Sequence, residues 1–295
     1  LIERNVMTTE LVSIHGGHSG QFCSHAQDSL EEIVLRYIHK GFAWVGITEH
    51  MPPVDDRFLY PEELEAGLDA ASIARRFDRY FAEGRRLQAR YAGAIDLLIG
   101  FETEVYSGAM AKARELIEAY QPDYVLGGIH HVDDIAIDYS IEEYRRAADA
   151  AGGIEALYCR YFDQQLELIE TLSPGVIAHF DLIRIFDPDY RQRWRQPAIA
   201  RRIRRNLERI AQRRMILDFN VAALRKGADE PYLSEPLLGQ AIAMQIPLVP
   251  GDDSHSADMA GAFVAEGAEL LRAAGYTGRW RRPAGYHRRS PDGAL

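Results

Sequence analysis

Cysteine is scarce in this chain. Cys23 and Cys159 are the only two in 295 residues, and so distant a pair does not make the disulfide framework of a small secreted domain. A reducing, cytoplasmic setting is predicted. Long apolar runs are missing as well: none approaches the roughly 20 residues that span a bilayer. The opening stretch LIERNVMTTE carries charge and has no apolar core, so it does not read as a secretory leader. No membrane partner is expected. Positive charge is outweighed, the net charge being −10, which argues against a general nucleic-acid binder. A Walker-type loop, a dinucleotide-binding glycine fingerprint and a Gly-x-Ser-x-Gly elbow are all absent. Their absence disfavours nucleotide kinases, dehydrogenases and serine hydrolases.

One basic stretch runs against the overall charge. From Arg191 to Arg214 the chain is crowded with arginine, yet Ile199, Ile203, Leu207 and Ile210 recur within it at helical spacing. This predicts an amphipathic helix whose arginines form a solvated face.

What the chain does have is histidine in unusual places. HGGHSGQFCSHA, from His15 to Ala26, carries three of the ten histidines. Neutral imidazole is a common metal ligand, and glycine lets a backbone bend so that nearby rings converge. A metal reading requires further His, Asp or Glu residues at equivalent points elsewhere.

The chain repeats a short β-rich run followed by a helical stretch. The runs are 11–14, 44–48, 95–102, 123–130, 175–180, 215–221 and 246–253. Helices are expected after each, including one started by Asp28 or Ser29 and one from Pro61 to about Tyr91. Such alternation predicts an α/β fold with a parallel sheet covered by helices, either an open doubly wound sheet or a closed barrel. One domain is expected over 11–278, with an extension at 1–10 and a Pro- and Gly-rich, loosely held tail at 279–295.

The strand ends collect the histidines. They carry His15, with His18 and His25 just beyond; Glu49-His50; Glu102; His130-His131; His179; Asn220; and Asp252, Asp253 and His255. Only His39 and His287 fall elsewhere. In a parallel barrel the C-terminal strand ends share one face, where active sites sit. So many donors exceed the needs of one ion, and two or three transition-metal ions (zinc, iron or manganese) sharing the carboxylates Glu102 and Asp253 would use them. Hydrolysis is the chemistry this points to, because bound metal lowers the pKa of water and neutralises phosphoryl oxygens.

GITEHMPP, GFETEV, GGIHHVDD, AHFDLIR, NVAALRKG…EPY and PGDDSH occur in the order seen in the polymerase and histidinol phosphatase (PHP) superfamily. The chain most resembles its histidinol-phosphatase branch, from about Ser13 to Gly261. The resemblance implies a distorted seven-stranded β/α (TIM-like) barrel of the PHP fold with up to three metal ions. It implies hydrolysis of L-histidinol phosphate to L-histidinol and phosphate, in histidine biosynthesis. By this resemblance His15, His18, Glu102 and Asp253 hold a first ion; Glu102, His130 and His179 a second; His25, His50 and His255 a third. Asp253 or His255 would manage the proton. Arg184 would bind phosphate, with Arg225 and Lys226 as further candidates. His131 would face the substrate or support the ligands, and Asn220 would bind the substrate.

The chain departs from the family in two places. The usual His-x-His is His-Gly-Gly-His here, so that at period two His15 and His18 would face opposite sides. A bulge or turn at Gly16-Gly17 would bring His18 back. Glu49 replaces the usual Asp before His50, and is expected to orient that histidine. Rival functions are a PHP phosphoesterase or exonuclease with another substrate, and a catalytically silent metal-binding scaffold.

Overall fold

Short apolar runs bounded by turns pair into parallel strands here, and the helices between them carry the crossovers. The computed structural model describes residues 10–283. Its strands are β1 (Val12–Ser13), β2 (Trp44–Ile47), β3 (Asp96–Ile99), β4 (Phe101–Glu102), β5 (Val125–Gly127), β6 (His131–Val132), β7 (Ile135–Ala136), β8 (Val176–Ile177), β9 (Ile216–Asn220) and β10 (Leu248–Gly251). One sheet has the order β1-β2-β3 and the other β10-β9-β8-β5-β4, with every pair parallel.

Main-chain bonds link the two sheets at both ends. Ile14 N donates to Pro250 O at 2.9 Å, tying the end of β1 to β10. Glu102 N donates to Glu49 O at 3.0 Å, and Gly100 N to Ile47 O at 2.9 Å. The strand order is thereby carried round from β10 back to β1. The run expected as one strand over 95–102 is broken at Gly100 into β3 and β4. The small antiparallel pair β6-β7 was not legible, because only its turn at Asp133 and Asp134, both with positive φ, separates the strands.

The helices follow local signals. Ser29 caps Leu30–His39 in a capping box with Glu32, and the acids Glu31 and Glu32 favour that positive end. The stretch expected as one helix from Pro61 to Tyr91 is two, Pro61–Glu65 and Ala70–Tyr91, with Asp69 capping the second. Pro197–Gln212 buries Ile199, Ile203, Leu207 and Ile210, as its spacing predicts. Trimming one of these to alanine would cost about 2–5 kcal/mol. Its arginine face is less solvated than expected. Arg202 and Arg205 pair with Asp163, and Arg209 and Arg213 with Glu170, both on the neighbouring helix Ile154–Thr171.

The start of the tail is also held. Trp280 Nε1 donates to Glu10 O at 3.0 Å, and Arg282 pairs with Asp96 beside Trp44. Residues 279–283 therefore pack near the starts of β1, β2 and β3, against the loose segment expected there. Residues 284–295, with His287, and 1–9 lie outside the described residues. Among those described, no helix is long and apolar enough to cross a membrane.

Candidate metal centre

The site forms where the chain leaves the strands. Glu102 ends β4, and its two oxygens meet four histidines from four different loops. Oε2 lies 3.3 Å from His15 Nε2 and 3.4 Å from His50 Nδ1. Oε1 lies 2.9 Å from His179 Nε2 and 3.3 Å from His130 Nε2. Asp253 Oδ1 stands 3.6 Å from His15 Nε2 and 3.4 Å from His18 Nε2. His255 Nε2 is 3.0 Å from His25 Nε2. Among the described residues four compact donor groups result, the atoms of each within 4.8 Å of one another. They are His15, His18 and Glu102; His50, Glu102 and His130; His15, His179 and Asp253; and His18, Cys23, His50 and His255.

Burial makes these contacts strong. His15, His18, Glu102 and His179 are almost wholly inaccessible. Burial opposes charge on His18, yet the carboxylates of Asp253 and Glu49 raise its imidazole to about 9. His15 is raised for the same reason, against burial, by Glu102, Asp253 and Asp218. Glu102 and Asp253 are held well below the carboxylate range: burial opposes this, but the surrounding imidazoles outweigh it.

The donor set fits metal ions. His15 Nε2, both ring nitrogens of His18 and His50 Nδ1 are buried without a hydrogen bond, a cost that a shared cation would relieve. The opposite nitrogen of His15 faces Asp218 Oδ2 at 3.0 Å, which fixes the tautomer as metal-ligating histidines require. His179 and Asp253 also sit at positive φ, 21° and 43°, backbone conformations that cluster at functional sites.

Residues 16–222 match the PHP domain family. The chain belongs to the PHP domain family. It is 37% identical over 254 residues to a Schizosaccharomyces pombe protein named probable histidinol-phosphatase, covering 85% of this chain and 82% of that one. It is 26% identical to the histidinol-phosphatase of Saccharomyces cerevisiae, over 76% of each chain. Among solved structures it resembles the HisK protein of Listeria monocytogenes, a histidinol phosphatase candidate, with a TM-score of 0.75, 25% identity and coverage of 86% and 99%. The fold also matches Lactococcus lactis histidinol phosphate phosphatase in complex with zinc, L-histidinol and phosphate (TM-score 0.69, 19% identity, coverage 91% and 95%). The PHP fold accounts for the parallel α/β architecture, and the cluster has a donor set that could hold divalent metal ions.

Each histidine and carboxylate expected as a ligand in this PHP chain reaches the cluster, His18 included. The reason for Gly16 and Gly17 differs from the expected one. Neither has positive φ. A Cβ on Gly16 would stand 2.5 Å from Gly46 O, and one on Gly17 2.6 Å from Ile33 Cγ2. Close packing, rather than special backbone angles, demands glycine here.

Above the cluster lies a cavity of about 530 Å³, within the range of small-molecule sites. His25, His50, Glu102, His130, His179, Asp253 and His255 line its floor; Tyr60, Glu62, Asp138, Tyr139, Tyr232, Arg225 and Lys226 are among its walls. Three expected roles, those of Arg184, Asn220 and Glu49, do not match the geometry, and His131 takes the supporting one of its two expected places. Arg184 does not line this cavity: its guanidinium is buried between Tyr190 and Tyr232 and donates to Asp181, Glu230 O and Pro231 O. His131 faces Glu104, at 3.2 Å, rather than the cavity. Asn220 is buried behind His15, its amide donating to Asp218 at 3.0 Å. Glu49 accepts from Ser19 N and Oγ at 2.7 and 3.0 Å and lies 3.5 Å from His18, so it orients His18 and not His50.

Three buried residues escaped sequence reasoning. Glu104 lies 3.0 Å from His130 Nδ1 and also faces His131; its place two residues after Glu102, on the same side of an extended chain, was the available signal. Asp218 is two residues before Asn220 on β9. Cys23 was read only as one of two cysteines that make no disulfide framework.

Proposed function

We propose that this chain hydrolyses L-histidinol phosphate to L-histidinol and phosphate, using two or three divalent transition-metal ions, zinc, iron or manganese. The observation that carries the reading is Glu102, buried and faced by four imidazoles at the floor of a cavity open to a small molecule. The curated relatives named for this activity support it. In the proposed scheme His15, His18, Glu102 and Asp253 hold one ion, Glu102, His130 and His179 a second, and His25, His50 and His255 a third. Such ions, when bound, acidify water and neutralise the phosphoryl oxygens.

The chain's own groups divide the remaining work. Arg225 and Lys226 present positive charge at the cavity wall. Arg225 is already tied to the main-chain oxygens of Asp252 and Asp253 at 2.8 Å each, so it positions Asp253. Lys226 makes no ion pair among the described residues and is the group left to meet a phosphate oxygen. Asp253, partly open to the cavity, accepts the proton of the attacking water. That proton then returns to the oxygen of the departing alcohol as the P–O bond breaks. His255 Nδ1 lies 3.1 Å from Asp253 O, which directs Nε2 toward His25 and the metal position.

The far wall is acidic and aromatic. Asp138 Oδ1 is buried without a hydrogen bond, and Glu62, Tyr60 and Tyr139 stand with it along the cavity. This wall suits the ammonium and imidazole of histidinol and offers no charge complement to the neutral sugar and base of a nucleoside monophosphate. Phosphate release from a panel of L-histidinol phosphate, nucleoside monophosphates and sugar phosphates tests the reading. Equal or faster turnover of a nucleotide would overturn the substrate assignment.

A further inference from the structure

One donor in the cluster is neither imidazole nor carboxylate. Cys23 Sγ belongs to the compact group with His18, His50 and His255, the four atoms within 4.8 Å of one another. Ligands at zinc's usual bond lengths of about 2.0–2.3 Å stand roughly 3.3–3.8 Å apart in a tetrahedron, so only a modest contraction is required. The sulfur belongs to a residue 7% exposed. It stands 3.3 Å from Nε2 and 3.4 Å from Nδ1 of His25. A single S–H cannot donate to both nitrogens at once, so this is no settled hydrogen bond.

His18 supplies a second observation. Its ring is fully buried, its nitrogens face Glu49 and Asp253 at 3.5 and 3.4 Å without an aligned hydrogen bond, and it belongs to the same donor group as the sulfur. The loop that carries the sulfur is also fixed in advance. Cys23 N and Phe22 N donate to Ser19 O at 2.9 and 3.0 Å, and Ser19 N donates to Glu49 Oε1 at 2.7 Å. Gln27 N donates to His255 O at 2.7 Å, locking the loop to the segment after β10. Sulfur, His50 and His255 are thus held together by hydrogen bonds among three separate parts of the chain.

We propose that Cys23 Sγ is a thiolate ligand of the metal position shared with His50 and His255, and that it makes this position select zinc over manganese. Thiolate is a soft ligand that suits zinc, whereas manganese favours oxygen donors. Coordination displaces the thiol proton to solvent, and no electron is transferred. The proposal rests on the metal-centre reading above.

The test uses the full chain stripped of metal and titrated with cobalt(II) chloride alone, followed by absorption and by elemental analysis. Thiolate bound to cobalt gives a charge-transfer band in the near ultraviolet. The band is expected in the wild type and in Cys159→Ser, which leaves Cys23 as the one thiol. It is expected to vanish in Cys23→Ser, which should also bind zinc at least about tenfold more weakly while manganese changes less than about threefold. Cobalt bound to Cys159→Ser without the band would overturn the role of Cys23 and leave the metal centre standing. No cobalt bound at all would overturn the metal centre and this proposal with it. Because Cys159→Ser carries the decisive spectrum, the test does not depend on the folding of Cys23→Ser.

Discussion

His15 Nδ1 stands 3.0 Å from Asp218 Oδ2, and both side chains are wholly inaccessible to solvent. The carboxylate holds the proton on Nδ1 and turns Nε2 toward Glu102 and Asp253. Asp218→Asn keeps the shape but removes the charge. A loss of roughly 10- to 100-fold in metal affinity is expected, with the fold retained by circular dichroism. Unchanged affinity in a competition titration with a chelator would show that Asp218 plays no part in orienting His15.

Gly16 supports the site by leaving space. Its missing Cβ would meet the main-chain oxygen of Gly46, which cannot swing away as a side chain would. Gly16→Ala is expected to destabilise by about 1–3 kcal/mol and to lower metal content, because the shift falls between His15 and His18. A melting temperature and an elemental analysis both equal to wild type would contradict this account of the two glycines.

The histidines of the centre were legible because period and position coincide. A donor at the end of a strand run lands at the same face in any parallel α/β fold, whatever the details of packing. Arg184 shows where that logic stops. Its match to a basic position of the family suggested a phosphate ligand, but the loop near Glu230 folds back and captures the guanidinium with two main-chain oxygens. Nothing in the local spacing announces that loop. Asp218 was missed for another reason: it serves a histidine from another strand, and such cross-strand partners follow from register, which the sequence does not spell out.

Arg184 and Lys226 are therefore expected to differ. Arg184→Ala leaves buried carbonyls and Asp181 short of a partner, and is expected to cost about 2–4 kcal/mol of stability. Lys226→Ala is expected to leave melting unchanged and to raise KM for the phosphorylated substrate, by roughly tenfold for one lost charge-assisted contact. Chemical denaturation and steady-state kinetics on both variants check the pair. A stable Arg184→Ala with weakened phosphate binding would restore the role first expected of it.

Proton release should report metal loading. Without metal the His18 imidazole sits near 9, and those of His15 and His130 are also raised, against burial, by neighbouring carboxylates. The His18 ring is therefore protonated at neutral pH and must lose its proton to bind metal. Apparent metal affinity is expected to rise with pH, and the protons released through His18 to fall away above about 9. The metal-free fold should show the opposite trend: stability from charged His18 is fully present below about 6.5 and is lost as pH rises through about 9. Calorimetric titration in buffers of different ionisation enthalpy checks the release. Metal binding at neutral pH with no proton liberated would contradict it.

The central claim is that the buried cluster around Glu102 works through bound metal on a phosphate monoester. The direct measurement is phosphate release from L-histidinol phosphate by one preparation as purified, after chelation, and after reloading with zinc, iron(II) or manganese, with metal content determined at each stage. The account requires more than one equivalent of metal in the active protein, loss of turnover on chelation, and recovery with at least one of the three ions. Undiminished turnover by protein that elemental analysis finds free of metal would contradict it.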